Sequence, residues 1–254
     1  MIILGILIIF YPIISNYFNS LNQKGIISNY QELIQNMTDS EKTEKINQYN
    51  RYNNHINQGD TTSYINFYNI QGILGYISIP KINVNLPIYN GTSDEVLSKG
   101  VGNLENSSLP TGRKGNHCVL VAHTGLTNTK MFDNLNKLEL EDKFYMNILD
   151  KKLEYQVDQI KVVTPDNTED LEAEDDKDYI TLVTCTPYMI NSHRLLVRGV
   201  RMEEPDLIEK EYVNVNYVEE QSFWNRYFIS LLCKDFKSNI SLINNILVSK
   251  LYSI

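Results

Sequence analysis

The chain has only two alanines, Ala122 and Ala173, only three cysteines, and no proline between Pro12 and Pro80. Each scarcity removes a reading. Cys118, Cys185 and Cys233 lie far apart with no CxxC pair, which excludes a disulfide framework and a zinc knuckle, and their odd number leaves at least one thiol free. Basic side chains are outnumbered 23 to 31 and the net charge is −8, so no basic stripe exists to follow a phosphate backbone, and nucleic acid is not an expected partner. There is no internal repeat and no glycine-rich phosphate loop. A cleaved secretion signal needs a basic start and a small-residue cleavage site, yet no Lys or Arg precedes Lys24 and no alanine precedes Ala122.

What the N-terminus does contain is "MIILGILIIFYPIISNYF", a charge-free run long enough for the roughly 17 residues of a spanning helix. An uncleaved membrane anchor over residues 1–19 is expected, with a buried core helix as the alternative. Residues 20–70 are polar and rich in Asn and Tyr, with Leu33, Ile34, Met37 and Ile46 spaced for one or two amphipathic helices, which predicts a helical neck. Lys24, Lys42, Lys45 and Arg51 alternate there with Glu32, Asp39, Glu41 and Glu44, so charge asymmetry does not set the membrane orientation. Residues 203–254 form a mixed, partly helical tail whose apolar runs are broken by Lys234, Asp235 and Lys237.

Between the two lies the part that can bury a core. From residue 71 to 202 the chain runs in short β-rich segments punctuated by Gly, Pro and Asn: "GILGYISIP", "VNLPIYNG", "NHCVLVAH", "KLEYQVDQIKVV" and "DYITLVTCTP". A helical pattern appears only briefly, around 131–138. Many short strands with few helices predict a mainly β fold, a barrel or sandwich rather than a βαβ sheet. The acidic run "EDLEAEDDKD" at 169–178 reads as a solvated loop, not a calcium site, and no metal or other cofactor is expected.

Three residues in this region have the makings of acyl-transfer chemistry. Cys185 ends an apolar strand just before Pro187 stops the ladder, so its thiol can reach solvent, whereas Cys118 lies inside an apolar strand and Cys233 in an apolar helix-like stretch. A nucleophilic cysteine needs a base that can later protonate a leaving amine. Of the four histidines, His55 falls in the neck, His117 inside the strand of Cys118, and His193 next to Arg194; His123 ends its strand at "TGL", as Cys185 ends its own. "TPYMINS" suits a turn that returns "HRLLVRG" antiparallel, bringing Arg194 near Cys185 as a forked cation for a developing oxyanion. A structural thiol, a satisfied polar histidine and a surface ion-paired arginine are the plainer readings of the same residues.

"TLVTC" followed by "TPYMINSHRLLVRG", together with "GYISIPKINVNLPIYNG", "VLSKGVGNLENSSLP", "VLVAHTGL", "MFDNLNKLELEDKFYM" and "YQVDQIKVV" in that order, resembles the class C sortases, membrane-anchored cysteine transpeptidases that polymerise pilins in Gram-positive bacteria. The resemblance implies an eight-stranded β-barrel with short helices and an extracellular catalytic domain tethered by a single pass. It implies Cys185 as nucleophile, His123 as acid and base, Arg194 as third catalytic residue, and an LPXTG-type sorting signal joined to a pilin lysine. Ala122 and Thr124 stand where the family has Gly and Arg around its histidine, and Asn90 and Asn103 stand where histidine is common. The Asp-Pro-aromatic anchor of the family's lid is absent: "GDTTSY" at 59–64 lacks the proline, so a lid in the neck is expected to be missing or held differently. The missing anchor keeps open a sortase acting on the peptidoglycan cross-bridge, and a non-catalytic binding module remains a third reading.

Overall fold

In the computed structural model, residues 2–59, 72–126 and 129–202 are described, with side chains from residue 10 onward. The lid candidate at 59–64 beyond Gly59, the tail with Cys233, and the side chains of residues 1–9 of the expected anchor lie outside the described residues.

Eight strands close into a barrel: β1 (Ile73–Ile79), β2 (Val84–Asn90), β3 (Val101–Asn103), β4 (Asn116–Val121), β5 (Lys143–Ile148), β6 (Lys151–Val163), β7 (Asp178–Thr186) and β8 (His193–Arg201), in the spatial order β1-β2-β3-β4-β7-β8-β6-β5. The pairing is antiparallel except for β2 with β3 and β4 with β7, which run parallel. Closure leaves no exposed edge, and Ile77, Ile88, Leu120, Phe144, Tyr155, Ile180, Leu182 and Val197 alternate inward to fill the interior. The five β-rich segments and the returning "HRLLVRG" are all strands. Two more strands, β3 and β5, were not legible in the sequence. β3 has three residues and too short a pattern to show; β5 alternates cleanly, but "MFDNLNKLELEDKFYM" around it also carries helical spacing, which the structure reduces to one 3₁₀ turn at Leu135–Lys137.

Among the described residues two long helices precede the barrel. The first, α1 (Ile2–Asn36), runs unbroken through Pro12. Gln23, Ile27, Tyr30 and Ile34, at spacings of four, three and four, form its buried face. Tyr30 secures the contact by donating its hydroxyl to the Leu74 carbonyl (3.2 Å) and accepting from the Leu149 N–H (2.7 Å). Toward the N-terminus the helix leaves the barrel, and Phe10, Tyr11, Ile13, Ile14, Tyr17, Phe18 and Leu21 are exposed. Among the described residues no helix is long and apolar enough to cross a membrane. The second helix, α2 (Asp39–Asn57), begins with a capping box in which Thr38 and Glu41 satisfy each other's backbone N–H. Asn53 clasps it to the barrel: its amide donates to the Leu109 carbonyl (2.9 Å) and its oxygen accepts from the Leu109 N–H (2.7 Å). A short helix, α3 (Asp94–Lys99), links β2 to β3.

Asp178 departs from the reading of 169–178 as a solvated loop. Opening β7 in the barrel wall, it is only 4% exposed and accepts the Tyr155 hydroxyl at 2.7 Å. Burial pushes its carboxyl up to about 7, against the lowering effects of the Tyr155 hydrogen bond and the Arg201 charge. A carboxyl raised this far stabilises the fold while protonated below about pH 4, and that contribution is lost as the pH climbs to about 7. Against Asp178→Asn, the native chain is therefore expected to lose a few kcal/mol, at most roughly 4, between pH 4 and pH 7 in denaturant unfolding. A stability difference independent of pH would show the shift to be absent.

Candidate active site

The parallel pairing of β4 with β7 decides where the chemistry-bearing side chains meet. Its ladder ends at Val121 opposite Val183, but two further bonds extend the match: the Ala122 N–H donates to the Val183 carbonyl (3.1 Å), and the Thr184 hydroxyl donates to the Ala122 carbonyl (2.8 Å). His123 follows directly and so leaves the sheet beside the end of β7, where Cys185 stands. On the other side of β7, antiparallel β8 places Arg194 opposite Cys185 and His193 opposite Thr186. The structure thus brings His123, Cys185 and Arg194 to three adjacent strand ends. All three are half-buried, neither locked in the core nor free in solvent.

Strand alternation also gives the thiol its surroundings. Cys185 shares a strand face with Val183 and Thr181, while Ile180 and Leu182 point into the main core. On the outer face Val183 packs with Val119 and Leu196, flanked by Leu104, Val121, Val163 and Leu171. An apolar floor therefore runs from Cys185 along β4, β7 and β8. The β7–β8 connection turns through Met189 and Asn191, both with positive φ, and leaves Tyr188, Met189 and Ile190 exposed beside the thiol.

Arg194 donates from Nη1 to the carbonyls of Asn191 (3.2 Å) and His193 (3.1 Å), and among the described residues it has no acidic partner. Those bonds fold the guanidinium onto the β7–β8 connection that follows Cys185. Among the described residues the surface ion pair that would have been its plainer role is not formed.

Among the described residues, the other thiol and the other histidines have surroundings of their own. Cys118 is 1% exposed inside β4, and burial pushes its thiol well above the ordinary range, which keeps it protonated and inert. His117 is buried between the Glu172 carbonyl (2.8 Å from Nδ1) and the Thr181 hydroxyl (2.7 Å from Nε2). A carbonyl can only accept, so Nδ1 carries the proton and Thr181 donates to Nε2; burial lowers the ring's affinity for a second proton. His55 is exposed on α2, and His193 is exposed with Nδ1 at 2.9 Å from the Ser192 hydroxyl. Asn103, where the family's common histidine is missing, is buried and spends its amide on Ser107, the carbonyls of Ser108 and Val119, and the Cys118 sulfur. Among the described residues no group of three or more His, Cys, Asp or Glu could hold a metal ion.

Sequence reasoning missed the loop that follows His123. The His123 carbonyl accepts from the Phe132 N–H (3.0 Å), and the Asp133 carboxylate accepts from the N–H groups of Gly125 (3.0 Å) and Met131 (2.8 Å). Gly125 has φ of 80°, and the Tyr188 ring lies so close that a Cβ there would come within 3.2 Å of it. The histidine loop and the cysteine loop are thus in contact. Nothing in the linear order of Asp133 and Tyr188 announced this, because both act across the fold.

The family model of the sortase domain matches residues 77–202, which hold every strand described above apart from the first residues of β1. Among solved structures, Clostridium perfringens sortase C with the C-terminal cell wall sorting motif is 50% identical, covering 70% of this chain and 98% of that one at a TM-score of 0.66. Sortase C1 from Streptococcus agalactiae is 41% identical with the same coverage and TM-score. Sortase A of Bacillus anthracis is 32% identical over 127 residues, half of this chain; the chain spans 59% of that relative's length and 47% of the length of the Streptococcus agalactiae sortase A. With a closed barrel of this order and near-complete coverage of class C structures at 50% and 41% identity, the chain belongs to the sortases, the family of cysteine transpeptidases, and its neighbours of known structure are class C.

Proposed function

We propose that the protein is a pilin-type sortase that cleaves an LPXTG-like sorting signal and joins its acyl part to a pilin lysine. The observation that carries this reading is the convergence of His123, Cys185 and Arg194 on neighbouring strand ends above an apolar floor. The Cys185 thiol gives its proton to His123 and its sulfur attacks the threonine carbonyl of the Thr–Gly bond, while the negative charge that develops on the carbonyl oxygen is met by the Arg194 guanidinium. As the C–N bond breaks, His123 supplies the proton that the leaving glycine amine needs. The lysine ε-amine then attacks the thioester, giving up its proton to His123; the C–S bond breaks and an isopeptide bond remains. Val183, Val121 and Leu196 offer the apolar residues of the sorting signal a surface on which to lie, with the scissile bond reaching Cys185.

The similarity to a class C structure solved with a cell wall sorting motif supports the choice of acyl donor. The curated sortase A relatives favour a second reading, attachment of surface proteins to the peptidoglycan cross-bridge. Sortases act at the cell surface of Gram-positive bacteria, and the exposed apolar side chains of α1 from Phe10 to Leu21 continue the charge-free start of the chain, which supports an N-terminal membrane tether for residues 1–19. The test is to incubate the enzyme with an LPXTG peptide and either a pilin domain or a cross-bridge amine, following products by mass spectrometry. A thioacyl adduct on Cys185 followed by isopeptide product with the pilin domain is the expected result. Product with the cross-bridge amine alone would favour the second reading, and no adduct at all would leave a non-catalytic binding module.

Arg194→Lys is expected to be nearly as damaging as Arg194→Ala. A lysine keeps the charge but loses the planar fork that can hold the loop carbonyls and an oxyanion together. Loss of one oxyanion donor typically costs about 2.7–4 kcal/mol, or on the order of 10²–10³ in kcat. Steady-state kinetics of both variants decide it; recovery of most activity by lysine would show that charge suffices.

A further inference from the structure

The loop after His123 is built to hold its first residue still, and one side chain makes most of that construction. Before His123, the Thr184 hydroxyl and the Val183 carbonyl pin Ala122 to β7. After it, the chain must turn out of the sheet, and its N–H groups lose the ladder as partners. Asp133 supplies two of the replacements, accepting from Gly125 with Oδ1 and from Met131 with Oδ2, so one carboxylate ties together both ends of the turn. Its neighbours Met131 and Phe132 are buried in the core, with Phe132 also returning a bond to the His123 carbonyl. The clamp is thus anchored to rigid packing, not to a surface loop. It also sets Gly125 against the Tyr188 ring, two residues from the histidine on one side and three from the cysteine on the other. Carboxylate acceptors of backbone N–H groups are among the stronger hydrogen bonds, and small displacements of an acid or base cost rate steeply.

We propose that Asp133 is a positioning residue for the acyl-transfer reaction, holding His123 beside Cys185 through its bridge between Gly125 and Met131. The proposal rests on His123 being the acid and base of the reaction. Asp133 does not touch substrate; its carboxylate is spent on the two N–H groups. Removing it frees the turn and lets the imidazole sample positions from which proton transfer is slow, while the apolar floor that receives the acyl donor stays in place. The loss therefore falls on kcat and not on KM.

The test is a double-variant cycle in the full chain, reading the first half-reaction with an LPXTG peptide as the rate of thioacyl formation on Cys185. Asp133→Ala is expected to lower the maximal rate at least tenfold with the half-saturating peptide concentration changed less than twofold, and Asp133→Asn, which keeps one acceptor oxygen, to fall between. In a His123→Ala background, Asp133→Ala is expected to cost less than twofold more, because a residue acting through His123 has nothing left to position. A loss of the same size in both backgrounds, a loss confined to the half-saturating concentration, or a rate within twofold of the native enzyme would overturn the proposal. Should Asp133→Ala fail to fold, Asp133→Asn takes its place, with a threefold loss that vanishes in the His123→Ala background as the supporting result and an unchanged rate as the opposing one. If His123→Ala by itself leaves the rate unchanged, the catalytic reading of His123 fails, and the clamp proposal falls with it; if only the Asp133 variants are unchanged, that reading stands and the clamp alone is refuted.

Discussion

Replacing Cys185 with alanine is expected to abolish both thioacyl formation and transpeptidation while leaving the barrel folded. The thiol is half-buried at the end of β7 and outside the main core cluster, so the substitution opens no large cavity. No other group at the site can take its role. Cys118 is enclosed within β4 and held protonated by burial, and Thr184 and Thr186, the neighbours of Cys185 in β7, carry hydroxyls, which are weaker nucleophiles than a thiol. Measured by isopeptide product and by intact mass after incubation with an LPXTG peptide, the variant should give no adduct and less than a few per cent of native turnover, with an unchanged melting temperature. Turnover above that level would mean that another residue forms the covalent intermediate.

His123→Ala is expected to lower kcat/KM by on the order of 10²–10⁴, the range typical of removing a general acid–base group. The leaving amine of the Thr–Gly bond is a poor leaving group unless protonated as it departs, and His123 leaves the sheet from β4 at the end where it pairs with β7, whereas His193 stands opposite Thr186 rather than Cys185. His193 is exposed and points its Nδ1 at Ser192, while His117 is committed to Glu172 and Thr181. In the variant, the pH profile of kcat/KM should lose one limb. A profile that keeps both limbs would transfer the role to a different histidine, and the matching test on His193→Ala would then show the loss.

The candidate residues could be chosen before any strand was placed, because their chemistry and their positions at strand ends are local properties. Cys185 precedes a proline that must stop a ladder, His123 precedes a glycine turn, and "HRLLVRG" alternates as a returning strand. The mainly β character was equally local, since β-branched and aromatic residues recur at period two between turn residues. Helical spacing in the neck was read from Leu33, Ile34, Met37 and Ile46, but only docking on the barrel showed which stripe of α1 is covered: Leu33 is exposed, whereas Gln23, Ile27, Tyr30 and Ile34 are buried.

What only the tertiary structure decided depends on partners distant in the chain. Periodicity says that β4 and β7 are strands but carries no information that they pair in parallel with Val121 against Val183, and that register is what sets His123 beside Cys185. A three-residue strand such as β3 is held by its neighbours on both sides, not by its own sequence. Asp178, read within an acidic run, is buried because β7 begins there inside the barrel wall opposite Tyr155, and a charged residue's burial is a property of the surrounding packing. Asp133 carries no local signal of its role; its two bonds to the histidine turn form where the chain folds back next to Phe132, which is buried in the core. Residue type and local period thus determined which groups could react and what elements carried them, whereas pairing register and burial, which arise only when separated segments meet, determined which of those groups came together.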